Sequence, residues 1–241
     1  MNETRIFADA YQTTFADPKE MLEFLAQRAK ESSWIRKPTR TLRLVPAIQE
    51  AGKMKDTVGK NWEEILEDTE NNTQLALKIK GETYPVRTCA IRTILDRAGI
   101  SGSGLRKLET ANYAKVVNYC LKVAKGDALI KIADGKVSAV HGGDHHDYSI
   151  LDMRAVFEMT MQFLNTNFPG NSCVEGSGMF DHSIVSAMWE LGGNQGLLDT
   201  YREALSDHGI SDNIIAPAVR LTTSDVAVSG ANLYPMLTCS S

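Results

Sequence analysis

The four cysteines of this 241-residue chain, Cys89, Cys120, Cys173 and Cys239, are widely separated, with no C-x-x-C pair among them. That spacing excludes a zinc knuckle and offers no disulfide framework, so reduced and mostly buried thiols are expected. No run of eighteen apolar residues occurs, and the start MNETRIFADAYQTTF lacks the basic-then-apolar order of a secretory signal. The expectation is a cytoplasmic protein with no membrane partner. Internal repeats, low-complexity tracts and a recognisable linker are absent too, which sets solenoids and disordered arrays aside. Aromatic residues make up only 7%, yet 43% hydrophobic and 23% charged residues suit a globular chain with a real core, as one large domain or two small ones.

Positive charge is scarce in one place and abundant in another. The net charge of −4 conceals 23 Lys and Arg against 20 acids in residues 1–150, and only Arg154, Arg202 and Arg220 against ten acids in residues 151–241. Between Leu75 and Lys136 twelve bases face five acids, an excess that suits a polyanionic partner. A solvated helix face explains the same excess, and the acidic C-terminal part could shield it. Upstream, SSWIRKPTRTLRLV carries four bases beside Trp34, either a phosphate-tracking segment or a basic edge strand that discourages aggregation.

Asp17-Pro18 before KEMLEFLAQRAKE predicts a helix from Pro18 to about Glu31, because Asp17 can cap and Pro18 fits the first turn. A short helix follows from Asn61, then strands at Thr73–Lys80 and Glu82–Val86 turning at Gly81. Helices are expected over Thr88–Arg97, ended by Gly99, and over Leu108–Lys125, with Tyr113, Val116, Val117, Cys120, Leu121 and Ala124 inward. Tyr119 is expected to pack internally as well. Leu151–Phe168 reads as a helix with Val156, Met159, Phe163 and Leu164 inward. SIVSAMWEL fits a strand or a short helix, Leu197–His208 a helix, and Ile214–Thr222 and Val226–Leu237 strands. Antiparallel β-hairpins packed with helices, an α+β fold, follow. Residues 1–72 are expected to form an N-terminal helical and extended segment and residues 73–241 an α+β core domain, its abrupt end at Ser241 compatible with truncation.

The densest stretch is Gly126 to Asp152, GDALIKIADGKVSAVHGGDHHDYSILD. Apolar residues alternate around Asp134-Gly135, a dipeptide that supplies the positive φ of a tight hairpin turn. His141, His145, His146 and Asp147, with Asp144 between them, offer nitrogen and oxygen ligands for a divalent metal, and Asp181 or His182 could complete a set. Gly142-Gly143 opposes a helix there, so a solvated loop is the competing reading. Gly99-Ile100-Ser101-Gly102-Ser103-Gly104 follows a helix rather than a strand and lacks a Gly-Lys-Ser/Thr ending, so it reads as a helix connector rather than a nucleotide loop, although its amides could meet a phosphate. Ser177 is flanked directly by glycines and is no nucleophile elbow. Asp181-His182 and Thr222-Thr223-Ser224-Asp225 are explained by turns or caps.

At GDALIKIADGKVSAVHGGDHHDYSILDMRAVFE the chain resembles a phage- and plasmid-like family of unknown function, carried on bacterial mobile elements, through Ala139, Val140, Tyr148 and Asp152. GETYPVRTCAIRTILDRAGIS and LTTSDVAVSGANLYPML extend the resemblance over roughly residues 75–237. Where the family has a basic, Ser-Asp-Arg-like turn before the tyrosine, this chain has Gly142-Gly143-Asp144-His145-His146, which weakens a phosphate role for that turn. Members of the family usually continue past the last strand. The resemblance implies a setting of DNA handling and evasion of host defence, and carries over no catalytic residue.

The leading expectation is therefore a non-enzymatic protein that binds DNA or RNA, single-stranded, without a cofactor. Arg36, Arg40, Arg43, Arg87, Arg92, Arg106, Lys107 and Lys115 are the expected backbone contacts, with Trp34, Tyr84 and Tyr148 as stacking candidates. The alternatives are an inhibitor of a host defence protein that uses the acidic C-terminal region as a nucleic-acid mimic, and a metal-dependent enzyme built on His141, His145, His146 and Asp147.

Overall fold

The computed structural model describes residues 5–144, 149–209, 215–226 and 229–239. From the N-terminus its elements are β1 (Gln12–Phe15), α1 (Pro18–Lys30), β2 (Ser32–Pro38), β3 (Arg43–Pro46), α2 (Ala51–Val58) and α3 (Trp62–Asn72). Next come β4 (Leu75–Ile79), β5 (Glu82–Pro85), α4 (Thr88–Ala98), α5 (Thr110–Val123), β6 (Asp127–Ala133) and β7 (Lys136–Gly142). The last are α6 (Met153–Asn167), β8 (Ser172–Cys173), β9 (Gly178–Asp181), β10 (Ile184–Glu190), α7 (Gln195–Ser206), β11 (Ile215–Ser224) and β12 (Asn232–Cys239). The named strands pair antiparallel throughout, so the fold is α+β.

Two compact units divide the chain: residues 1–11 with 28–150, and residues 12–27 with 151–241. The expected boundary at residue 72 falls inside the first unit, because β2 pairs with β6 and β3 with β4, joining the N-terminal strands to the later ones.

The first unit carries two three-stranded sheets, β2-β6-β7 and β3-β4-β5. Leu44, Leu77, Ile79, Ile94, Val117, Leu121, Ile130 and Val140 form one buried core between these sheets, α4 and α5. The hairpin turn is as the dipeptide requires: Asp134 has φ 53° and Gly135 φ 74°. A Cβ on Gly135 would lie 2.9 Å from Val58 Cγ1, so this glycine is demanded by packing as well as by φ. Gly99, at φ 70°, closes α4 in the left-handed conformation.

Beneath the hairpin lies a buried charge network whose members are distant in sequence. Arg28 Nη1 contacts Asp134 Oδ2 at 2.7 Å, and Arg87 lies 3.6 Å from Asp134 and 4.0 Å from Asp9. Lys136, fully buried, pairs with Asp68 and lies 3.6 Å from Asp9. The Thr88 backbone N–H and hydroxyl donate to Asp9 Oδ2 at 2.7 and 2.5 Å, so a residue distant in sequence caps α4. Three acids and three bases thus lock the N-terminal segment, α3, α4 and the hairpin into one register.

The second unit holds a six-stranded sheet ordered β1-β9-β10-β11-β12, with β8 also on β10. SIVSAMWEL is a strand, since β9 and β11 pair with both of its edges. Asp17 accepts from the Glu20 N–H at 2.9 Å while Glu20 reaches back to the Ala16 N–H at 2.9 Å, a capping box that starts α1. α6 begins as Asp152 accepts from Ala155 N–H at 3.2 Å. Its buried stripe runs through Met153, Phe157 and Leu164, one step round the helix from the expected face, and leaves Met159 68% and Phe163 51% exposed.

Candidate nucleic-acid interface

α5 is built with two faces. Tyr113, Ala114, Val117 and Leu121 enter the core, while Lys115, Tyr119 and Lys122 follow each other at i, i+4 and i+7 on the outer side. Asn118 fixes this helix to β3. Its carboxamide oxygen accepts from the Leu44 N–H and its amide donates to the Leu44 carbonyl, each at 2.7 Å, so one side chain substitutes for a strand partner at the free edge of β3. The neighbouring Arg43 is thereby set across from Lys115. Its guanidinium donates to the carbonyls of Arg40 and Leu42 at 2.8 and 2.7 Å.

The other end of the helix is held as firmly. The Thr39 N–H donates to the Gly126 carbonyl at 3.1 Å, and Arg97 bridges the Thr39 hydroxyl, at 2.8 Å, and the Lys125 carbonyl. Arg40 and Lys125 are thus presented beside the end of α5.

Two adjoining grooves result. One, of about 390 Å³, is lined by Arg43, Lys115, Asn118, Tyr119 and Lys122 among others; the second, of about 450 Å³, by Arg40, Lys122, Lys125 and Asp127 among others. Lys122 is shared, so five cations border the two grooves, and Asp127 is the one acidic lining residue among those described. Among the described residues no carboxylate forms an ion pair with Arg40, Arg43, Lys115, Lys122 or Lys125. Tyr119 stands on this strip 63% exposed, contrary to its expected internal packing.

Of the eight residues expected to contact a nucleic-acid backbone, Arg40, Arg43 and Lys115 are brought together here. Arg36 is exposed on β2, opposite Leu129 in the register, and lines neither groove. Lys107 is exposed in the short 3₁₀ turn Leu105–Lys107, and the side chain of Arg106 lies outside the described residues. Arg92 is exposed on α4, 3.9 Å from Asp96, and lines a different cavity of about 870 Å³. Arg87 leaves the contact set altogether: it is 3% exposed, is held by Asp9 and Asp134, and donates to the Ile6 carbonyl at 2.7 Å, so no ligand reaches it. Lys122, Lys125 and Tyr119 were missed, although the Lys115–Tyr119–Lys122 spacing marks one helix face.

The stacking candidates fare unevenly. Trp34 stacks on His141 with ring centroids 6.2 Å apart and carries Lys131 Nζ 5.7 Å from its ring centre, so its faces are engaged within the sheet. Tyr84 is half-buried, and burial followed by Glu82 pushes its phenol pKa up. Tyr148 lies outside the described residues, as do His145, His146 and Asp147 of the expected metal group; only His141 of that group is placed, on β7. Among the described residues no cluster of three His, Cys, Asp or Glu has a metal-binding arrangement. His182 is hydrogen-bonded to its neighbour Asp181 on an exposed turn.

A second basic pair sits elsewhere in this unit. Lys80 crowds Lys37 and lowers its pKa, with partial burial adding to the effect and Glu82 opposing it.

No protein-family model, curated protein or solved structure matches the chain. Among the described residues no helix is long and apolar enough to cross a membrane.

Proposed function

We propose that the first unit binds single-stranded nucleic acid along the strip formed by α5, β3 and the Thr39–Thr41 turn. The observation that carries this reading is the strip itself: five cations that form no ion pair among the described residues border two adjoining grooves and flank an exposed tyrosine. Such cations can neutralise phosphates and release counterions, while a tyrosine face accepts any base. Positive side chains that were merely solvated would gain from interspersed carboxylates, as Glu50 provides for Lys53 and Lys78 elsewhere in the same unit. The mobile-element setting implied by the sequence resemblance is part of the same proposal, since single strands are common intermediates of DNA handling.

Binding of a fluorescein-labelled 12-nucleotide strand, followed by anisotropy, tests the reading. Charge reversal of Lys115 and Lys122 should weaken binding of all sequences alike by at least tenfold, whereas reversal of Arg36, off the strip, should leave it nearly unchanged. Equal losses from both changes, or no binding by the unaltered protein, would refute it.

A further inference from the structure

We infer that the cavity of about 870 Å³ beside the start of α5 receives one unstacked base of a strand whose backbone lies on the basic strip. This inference rests on the nucleic-acid reading and adds to it a place where the base is gripped.

The cavity lies against the strip. Thr110 and Tyr113 of α5 border it, while Ala111, Ala114 and Lys115, on the adjacent face of the same helix, border the first groove. Leu75 on its wall pairs in the sheet with Pro46 on the groove wall. From Thr110 to Lys122 the helix rises about 18 Å, a span of a few nucleotides. The path proposed for the strand runs from the lysines past Ala111 and Ala114 and round the first turn of α5 to the cavity.

Its lining matches a base rather than a phosphate. Leu75, Ile91, Leu95 and Ile100 give apolar walls, and the cavity falls within the size range of small-molecule sites, roughly 300–1,000 Å³. The loop Ser101–Ser103 closes one side because Gly102 lacks a Cβ, which would stand 2.5 Å from Leu95 Cδ1.

Polar side chains share the lining, Gln74, Thr88, Asp96 and Thr110 among them, and can hydrogen-bond the edges of a base. Gln74 adopts φ 59°, a left-handed conformation unusual for a residue with a side chain. Its backbone is fixed there by the Gln74 N–H donating to the Thr69 carbonyl at 2.8 Å, and by the Ala47 N–H donating to its own carbonyl at 2.9 Å. The Thr110 hydroxyl donates to its side-chain oxygen at 2.5 Å, which leaves the carboxamide NH₂ as the group that can donate to a base edge. Arg92 also lines the cavity, 81% exposed and 3.9 Å from Asp96, and can meet a phosphate or a ring face.

The probes are a labelled thymidine 12-mer and its abasic counterpart, which keeps every phosphate and lacks every base. Filling the cavity with Ile91→Trp, or removing the donor with Gln74→Ala should the first fail to fold, is expected to weaken the base-bearing strand about tenfold. The abasic strand should bind these variants as it binds the unaltered protein, with the same salt dependence. Equal affinity of parent and variants for the base-bearing strand would overturn the cavity's role while leaving the strip intact. Failure of the unaltered protein to bind either strand would overturn the strip, and the cavity inference with it.

Discussion

Replacing Lys136 by methionine removes the ammonium from a site that water does not reach. Lys136 is fully buried, Asp9 is 4% and Asp68 18% exposed, and both acids lose their nearest cation at once. Removing one partner of a buried ion pair costs about 3–5 kcal/mol. Here the lower end applies, about 3 kcal/mol, because water reaches part of Asp68 while Asp9 keeps Arg87 at 4.0 Å and both donors of Thr88. With a urea slope of about 2 kcal/mol per molar, the unfolding midpoint of the first unit should fall by about 1.5 M. Hydrogen exchange over β6 and β7 localises the effect, since these strands carry the turn that the network holds. Adding Asp68→Asn, which removes the more exposed of the two orphaned charges, should recover about 1 kcal/mol of the loss. A midpoint shift below about 0.5 M, or an Asp68→Asn change that deepens the loss, would refute the argument that this network is an uncompensated-charge problem rather than a solvated cluster.

Other consequences can be measured separately. Asn118→Ala leaves the Leu44 N–H and carbonyl without their partner and should cost about 2 kcal/mol in urea unfolding; strand affinity should fall with it, because Arg43 is no longer held against α5. Gly135→Ala should cost about 2 kcal/mol or more, from a positive φ and from collision with Val58, read as a lowered thermal midpoint. Tyr119→Ala should reduce single-strand affinity by about 1–3 kcal/mol with no change in the salt slope, checked by anisotropy. Lys78, then Lys53, hold the Glu50 carboxylate below its usual range, so its contribution is fully present above the ordinary glutamate pKa and disappears as pH falls through the depressed one. Glu50→Gln should therefore lower stability at neutral pH and bring it closer to the unaltered protein in acid, measured by urea titration across that window.

Local rules made much of the scaffold legible. Asp17-Pro18 opens α1, Gly99 closes α4, and Asp134-Gly135 turns the hairpin, because each depends on backbone angles or caps that a few adjacent residues determine. What escaped depends on distant partners. Arg87 looks like any basic residue in its tripeptide, and only the arrival of Asp9 and Asp134 from other parts of the chain makes it a buried structural ion. β1 and the shift of the α6 stripe escaped for the same reason: Gln12–Phe15 becomes a strand by pairing with β9, and Met159 is apolar yet lies off the buried row. The strip itself was half visible. Lys115, Arg40 and Arg43 stand out by charge, but the helical spacing of Tyr119 beside core residues points it inward, and the reciprocal bonds of Asn118 to Leu44 show which face of α5 meets β3.

The most direct test is the dependence of single-strand affinity on salt. Five phosphate contacts predict that log K falls against log salt with a slope of about −3.5, and neutralising Lys115 and Lys122 together should reduce that slope by about 1.4. A slope near zero in the unaltered protein, or one that the double substitution leaves unchanged, would contradict the assignment of the α5 strip as a nucleic-acid interface.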